Sequence, residues 1–242
     1  MTLQPSPITS PRKMAPFPGN KRVFFGHQSV GSNILKGIRS LSPTSPIAEH
    51  ASKMPSVRSA GLYHAFIGQN QHPHSKIDEF AQVLTQPTAT YDYAMMKLCY
   101  VDISRVTDID QLFQYYVAMI RELQAAVPRL QIVHLTIPLR TIRLGVRSRL
   151  KLLMGHSVTA VDDNVRREAY NQLIRSRYGD DGYMFDLADF EATRPDGTSN
   201  FVTCGDQIIR TLYSGYSDDG GHLNAHGRRM IARQLIRLID GL

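Results

Sequence analysis

The sequence predicts an α/β protein, a three-layer α/β/α domain around a central parallel sheet of about five strands. Short, continuously apolar runs alternate along the chain with amphipathic segments of helical periodicity. The runs lack the polar–apolar alternation of a half-exposed strand, so helices are expected to cover both faces of the sheet. Ser29, Gly68 and Asp102 each follow one of these runs. Because ligands bind beyond the carboxyl ends of parallel strands, the site is expected near these residues.

Five apolar runs are predicted to form the strands: residues 22–26, 61–67, 93–100, 131–137 and 183–187. Apolar residues at helical spacing predict a helix after Ser29, a helix over residues 75–84, a helix after Thr107, a helix over residues 164–177 and a last helix from Asn224. Ser75, Thr107 and Asn224 are residue types that cap helices. The segment 140–162 fits no single element, and we interpret it as a lid or an insertion.

The composition changes after about the first 20 residues, which are rich in proline, serine and threonine. A segment of this kind buries little apolar surface, so residues 1–20 are predicted to be a disordered tail. Residues 21–242 are predicted to form a single domain, since a chain of 242 residues has enough apolar surface for one full core.

The chain carries a formal net charge of +7. Its densest basic stretch runs from Arg140 to Lys151 without interleaved aromatic residues, and we interpret it as solvated in preference to a phosphate-binding patch. No nucleic-acid partner is therefore expected. No apolar run reaches the roughly 18 residues of a membrane span. The sequence holds two cysteines and shows no secretory signal, which favours a cytoplasmic location; a trimmed secreted form is the alternative.

Two motifs far apart in the sequence carry the chemistry. Asp219 precedes His222 by three residues on a Gly-Gly turn, a spacing that lets the carboxylate hydrogen-bond the imidazole and fix its tautomer. Ser29 lies between the first strand and the first helix, where backbone N–H groups of the helix face a developing oxyanion. The order Ser…Asp…His predicts a serine hydrolase with these three residues as its catalytic triad.

Each motif also has a simpler interpretation. A serine between a strand and a helix is often only an N-cap. His222 and His226 are spaced as two metal ligands on a helix. Asn224, as the cap, places His222 before the helix and His226 within it, so the pair would not share a face. No metal and no organic cofactor is expected.

The two motifs resemble blocks of a known family. Residues 23–31, Val-Phe-Phe-Gly-His-Gln-Ser-Val-Gly, resemble the first block of the SGNH (GDSL-type) hydrolase superfamily, and residues 219–224, Asp-Gly-Gly-His-Leu-Asn, resemble its last block. The resemblance extends over residues 21–242. It implies a flavodoxin-like sheet, a Ser-His-Asp esterase, and an oxyanion hole to which Ser29 and Gly68, the block-two glycine, contribute N–H groups.

Two features depart from the pattern of the family. His27 and Gln28 precede the serine where the family has Gly-Asp, and Val101 occupies the position of the oxyanion-hole asparagine in the third block. The side-chain donor is therefore expected elsewhere. Asn70, just after the second predicted strand, is our first candidate.

The resemblance implies a serine esterase that hydrolyses carboxylic esters, such as O-acetyl groups of carbohydrates or other small acylated compounds. Two alternatives stay open: an acyltransferase that uses the same triad, and a non-catalytic module that binds a glycan or an anion. A basic nucleic-acid binder is the least favoured alternative. The sequence does not determine the oligomeric state.

Overall fold

The computed structural model describes residues 17–50, 57, 59–154, 156–204 and 207–242. Most of the predicted tail, residues 1–16, lies outside these ranges. Phe17 is fully buried, and its N–H donates to Ser45 Oγ at 3.0 Å. The packed part of the chain therefore includes Phe17, before the predicted boundary at residue 21.

The central sheet is parallel and lies between helices. Its strands are β1 (Arg22–His27), β2 (Ile47–Glu49), β3 (Gly61–Phe66), β4 (Tyr93–Met96), β5 (Gln131–Leu135) and β6 (Met184–Phe185). They pair in the order β2-β3-β1-β4-β5-β6. Without the short edge strand β2, this is the 2-1-3-4-5 order of flavodoxin-like sheets. The predicted parallel sheet of about five strands is confirmed, and β2 is an addition that the apolar pattern did not indicate.

Helices cover both faces of the sheet. They are α1 (Ser29–Leu41), α2 (Pro73–Leu84), α3 (Ile109–Ala126), α4 (Val146–Leu153), α5 (Thr159–Tyr178), α6 (Leu187–Ala192) and α7 (Ala225–Gly241). One hydrophobic core lies between the sheet and α2, α3 and α5, and a second lies between the sheet and α1, α6 and α7. β1 contributes to both, since Phe24 belongs to the first core and Phe25 to the second.

Several boundaries differ from the sequence prediction. α2 begins at Pro73, and Ser75 is not its cap; its hydroxyl donates to the carbonyl of His72 at 2.7 Å. Asp108, and not Thr107, caps α3 by accepting the N–H of Gln111.

The segment interpreted as a lid or an insertion contains α4 and the start of α5. Beside it lies an unpredicted antiparallel hairpin of β7 (Phe201–Cys204) and β8 (Gln207–Arg210). Ile142, Val161 and Ile209 form a small hydrophobic cluster that joins the hairpin to this segment. Within the described ranges, no helix is long and apolar enough to cross a membrane.

Candidate active site

The candidate site lies at the carboxyl edge of the sheet, beside its central strands. β1 has β3 on one side and β4 on the other, so the chain crosses over β1 between these two strands. Such a switch point leaves a crevice beyond the strand ends. β1 leads into Ser29, β3 leads into Gly68, and β4 leads into a 3-10 helix over Tyr100–Asp102. The residues that the sequence singled out therefore meet at one edge.

Ser29, His222 and Asp219 form a hydrogen-bonded chain. His222 Nε2 lies 3.1 Å from Ser29 Oγ, and His222 Nδ1 lies 2.6 Å from Asp219 Oδ2. Because an ionised carboxylate only accepts hydrogen bonds, Nδ1 carries the ring proton and Nε2 is left to accept the serine hydroxyl. In this arrangement the imidazole can take a proton from the hydroxyl.

The turn that carries the histidine also holds Asp219. Its Oδ1 accepts the N–H groups of Gly221 (2.9 Å) and His222 (2.8 Å), together with the hydroxyl of Ser217 (3.2 Å). Partial burial alone would raise the pKa of Asp219. Hydrogen bonds from the His222 ring and from the two N–H groups outweigh that effect and hold this pKa well below its ordinary value. Asp219 is therefore an anion at neutral pH.

Ser29 is the first residue of α1, and among the described residues no side chain caps that helix. The first N–H groups of a helix have no partner within it, and they carry the positive end of the helix dipole. The N–H of Ser29 thus has no competing side-chain cap among the described residues. Gly31 keeps this turn close to β1, because a Cβ at residue 31 would lie 2.2 Å from the Cβ of His27.

His27 supports the turn beneath Ser29. It is fully buried; its Nδ1 lies 2.8 Å from the carbonyl oxygen of Gln28, and its Nε2 lies 3.2 Å from His64 Nδ1. The carbonyl requires a proton on Nδ1, so Nε2 accepts from His64. Burial lowers the pKa of His27 to about 4. The ring is therefore neutral with both nitrogens engaged, which makes it a support for the turn and not a second base.

Contacts on both sides of His222 fix its place beside α1. Asn33, on α1, accepts the N–H of Leu223 through its Oδ1 at 3.0 Å. Asn224 caps α7 as predicted, and its Nδ2 donates to Asp218 Oδ1 at 3.2 Å. Asp218 therefore bonds the cap, whereas Asp219 bonds the histidine.

Gly68 and Asn70, the residues predicted to complete the oxyanion hole, differ in whether their donor groups are already engaged. Gly68 has a φ of 54°, and its N–H donates to Glu79 Oε2 at 2.7 Å. In this arrangement that N–H is not available to an oxyanion, so the expected role of Gly68 lacks its donor. Asn70 is exposed, and its Oδ1 accepts from Lys76 Nζ at 3.0 Å. Its Nδ2 is the donor atom of the amide and points away from Lys76.

Two residues of the site were not predicted from the sequence. The ring of Tyr100 stands edge-on to the ring of His222, with centroids 5.9 Å apart, and a Cβ at Gly221 would lie 2.8 Å from its Cζ. Arg140 places its guanidinium 5.2 Å from the centroid of the Tyr100 ring. The basic stretch therefore begins at the site. The sequence did offer one indication of Tyr100, because this residue directly precedes Val101-Asp102.

No metal arrangement occurs within the described ranges, where no three His, Cys, Asp or Glu side chains are grouped to hold an ion. His226, which the sequence suggested as a metal partner of His222, stacks on the ring of Tyr216 with centroids 5.3 Å apart.

Comparisons with known proteins agree with the fold. No protein-family model matches the sequence, and no curated protein sequence matches it. A crystal structure of a protein from Lactobacillus plantarum matches with 18% identity and a TM-score of 0.51, over 92% of this chain and 97% of that one.

Two further structures are similar at lower scores. A protein assigned to the G-D-S-L family of lipolytic proteins, from Desulfitobacterium hafniense, has 10% identity and a TM-score of 0.49, over 90% of this chain and 99% of its own. A carbohydrate esterase of family 3 from Talaromyces cellulolyticus has 16% identity and a TM-score of 0.48, over 91% and 98%. At these identities the likeness is one of fold. The three-layer fold that the resemblance to the SGNH (GDSL-type) hydrolases implied is confirmed.

Proposed function

We propose that this protein is a serine esterase that hydrolyses carboxylic esters through Ser29, His222 and Asp219. The observation that carries the proposal is the continuous path from Ser29 Oγ through His222 to Asp219, with separations of 3.1 and 2.6 Å. A serine, a histidine and an ionised acid in this order form the arrangement that activates a hydroxyl for attack on a carbonyl.

In the proposed reaction, Ser29 Oγ attacks the ester carbonyl carbon while His222 Nε2 takes the hydroxyl proton. The resulting imidazolium is stabilised by Asp219, and it returns the proton to the leaving alcohol. A water molecule then attacks the acyl-enzyme with His222 again as base. This second step releases the carboxylic acid and restores the serine.

The negative charge on the carbonyl oxygen needs donors that are already in place. We assign the Ser29 N–H at the uncapped start of α1 and the Nδ2 of Asn70 as these donors. Support for Asn70 comes from its exposed position after β3 and from its Oδ1, which is already engaged by Lys76. Gly68 becomes a third donor only if its N–H leaves the carboxylate of Glu79.

The proposed substrate is a small acyl ester, such as an O-acetylated carbohydrate. The side chains of His222 and Asp219 are 41% and 57% exposed, so the alcohol part of a large substrate can stay outside the protein. Phe66, 54% exposed at the end of β3, has its ring centroid 5.0 Å from that of His27. It offers a flat apolar surface beside the start of α1.

Intact mass after treatment with a fluorophosphonate probe tests the proposal. We expect a single adduct that peptide mapping assigns to Ser29 and that is absent from Ser29→Ala. A folded protein without an adduct would overturn the proposed activity and favour the binding module. After a positive result, acetyl esters are the first substrates to measure, and product analysis with acceptor alcohols separates hydrolysis from acyl transfer on the same triad.

A further inference from the structure

A buried ion pair next to the site has no part in the triad. Lys76 on α2 and Asp102 in the 3-10 helix have side chains with no exposed surface, and Lys76 Nζ lies 2.6 Å from Asp102 Oδ2. Removing two charges from water is costly, and well-packed apolar residues in place of such a pair are often as stabilising. Stability is thus a weak reason for burying this pair, and the residues that it binds indicate another role.

The pair holds the loop that follows β3. Lys76 Nζ donates to Asn70 Oδ1 at 3.0 Å, and Asp102 Oδ1 accepts the N–H of Gln71 at 2.8 Å. Gln71 has a φ of 69°, a left-handed conformation that non-glycine residues rarely adopt. Such a conformation persists where its surroundings enforce it. Here the buried carboxylate enforces it from one side and the buried ammonium fixes the preceding side chain.

The lysine also decides which way the amide of Asn70 faces. An ammonium group only donates hydrogen bonds, so it selects Oδ1 and excludes Nδ2. Because the amide is planar, Nδ2 is directed away from Lys76. A rotated amide would place NH₂ against NH₃⁺ and lose the hydrogen bond.

The loop after β3, which the ion pair holds at Asn70 and Gln71, lies beside Ser29. β1 and β3 are paired in register from Arg22↔Gly61 to His27↔Phe66, so the residues that follow the two strands are neighbours. Gln28, directly before the serine, donates through Nε2 to the carbonyls of Ile67 and Gly68, both at 2.9 Å. The loop is therefore attached to the start of α1 as well as to the buried pair.

From these contacts we propose that Lys76 and Asp102 are a positioning pair that holds the Asn70 amide with Nδ2 toward the oxyanion. This inference rests on the proposed esterase function. It accounts for Val101 at the position where the related family has its asparagine, because the adjacent Asp102 organises a donor on a different loop. Lys76 and Asp102 do not touch the reacting atoms; they act through Asn70.

A double-mutant cycle on ester turnover tests the proposal. Asn70→Ala should lower kcat about 100-fold with little change in KM, as loss of one oxyanion donor does. Lys76→Met should lower kcat about 10- to 100-fold, since the amide then loses its orientation. In the Asn70→Ala background, Lys76→Met should have no further effect on kcat, because no amide remains to be held.

The control is Lys97→Met, which removes another fully buried lysine whose Nζ donates to the carbonyl of Leu98 and not to Asn70. Its effect on kcat should be the same with and without Asn70. If Lys76→Met does not fold, the double variant Lys76→Met/Asp102→Asn, which leaves no unpaired buried charge, takes its place in the cycle.

The possible results separate the two proposals. Equal losses from Lys76→Met in both backgrounds would make its role structural and overturn the inference, as would an Asn70→Ala variant with wild-type kcat; the esterase function would stand in either case. Wild-type protein without ester turnover and without a fluorophosphonate adduct on Ser29 would remove the proposed function itself.

Discussion

Asp219 is bound to His222 at two points, through the ring and through the peptide N–H of the same residue. The first contact sets the tautomer, and the second sets the direction from which the ring approaches. Asp218, one residue earlier, bonds the cap of α7 instead. The structure therefore distinguishes two adjacent acids that differ little in sequence context.

Asp219→Asn should leave the protein folded and lower kcat about 10³- to 10⁴-fold. The asparagine Oδ1 can still accept the N–H groups of Gly221 and His222, but the NH₂ group cannot accept the ring N–H, so the wrong tautomer is favoured. Steady-state ester kinetics and circular dichroism measure the two effects. Asp218→Asn is the matched control, and a slower Asp218→Asn than Asp219→Asn would reverse the assignment of the acid.

Ser29, Asp219 and His222 could be singled out from the sequence. Asp219 and His222 are three residues apart, and Ser29 lies where a predictable strand ends and a predictable helix begins. The sequence could not show whether the Gly68 N–H is free to bind an oxyanion. That depends on Glu79 on α2, whose carboxylate accepts this N–H. The burial of Lys76 had one indication in the sequence, because Lys76 lies on the same helical stripe as Phe80 and Val83, which are buried.

The elements that set the distance from Ser29 to His222 are α1 and α7. They lie together on one face of the sheet, and they meet closely at Gly37, where a Cβ would lie 2.2 Å from the carbonyl oxygen of Arg228. The contact is backbone against backbone, so no side chain can move aside. Spacing between these helices is therefore coupled to the geometry of the triad.

Gly37→Ala should lower the free energy of unfolding by about 1–3 kcal/mol, as overpacking of a tight contact does. We also expect a lower kcat, because separating α1 from α7 lengthens the path between Ser29 and His222. Thermal unfolding and ester kinetics measure these changes. Gly145→Ala is the control, since no atom of the described residues lies within 4 Å of a Cβ at that position. Equal behaviour of the two variants would show that the helix contact does not constrain the site.

Elements with a buried apolar run or stripe were predictable, including the two-residue β6, and short exposed elements were not. The helices α1, α3 and α7 and the strands β1, β3 and β5 follow from apolar runs or stripes that fill one side of a core. β2 has three residues and an exposed pattern, and the β7–β8 hairpin has mostly half-buried or exposed residues. Neighbouring segments determine such elements, so the sequence alone carries little periodic signal for them.

At the scale of the whole molecule, several ionisable groups are buried and have pKa values that differ from those in water. Burial raises the pKa of Glu191 to about 8, although the N–H of Leu139 and the charge of Lys97 act against the shift. Burial lowers the pKa of His134 to about 4. Glu191 is thus largely protonated at neutral pH, and its Oε1 has no hydrogen-bond partner within the described part of the chain.

Glu191 makes stability depend on pH in a defined direction. Its folded pKa lies above the unfolded value, so its stabilising contribution is complete below about pH 4.5 and is lost as the pH rises to about 8. Glu191→Gln, which imitates the neutral acid, should therefore gain stability relative to wild type over this interval, by up to about 5 kcal/mol. Urea unfolding at both pH values measures the difference, with Glu122→Gln on the exposed surface of α3 as control. A difference that stays constant with pH would show that Glu191 is ionised in the fold.

The separation of 193 residues between Ser29 and His222 has a consequence for the chain during its synthesis. At about 5–20 residues per second, the serine is made roughly 10–40 s before the histidine. α1 has no α7 to pack against in that interval, and Asn33 has no Leu223 to hold. A nascent chain therefore carries the nucleophile without its base during this interval, and the triad can assemble only after the segment with His222 and α7 has been made.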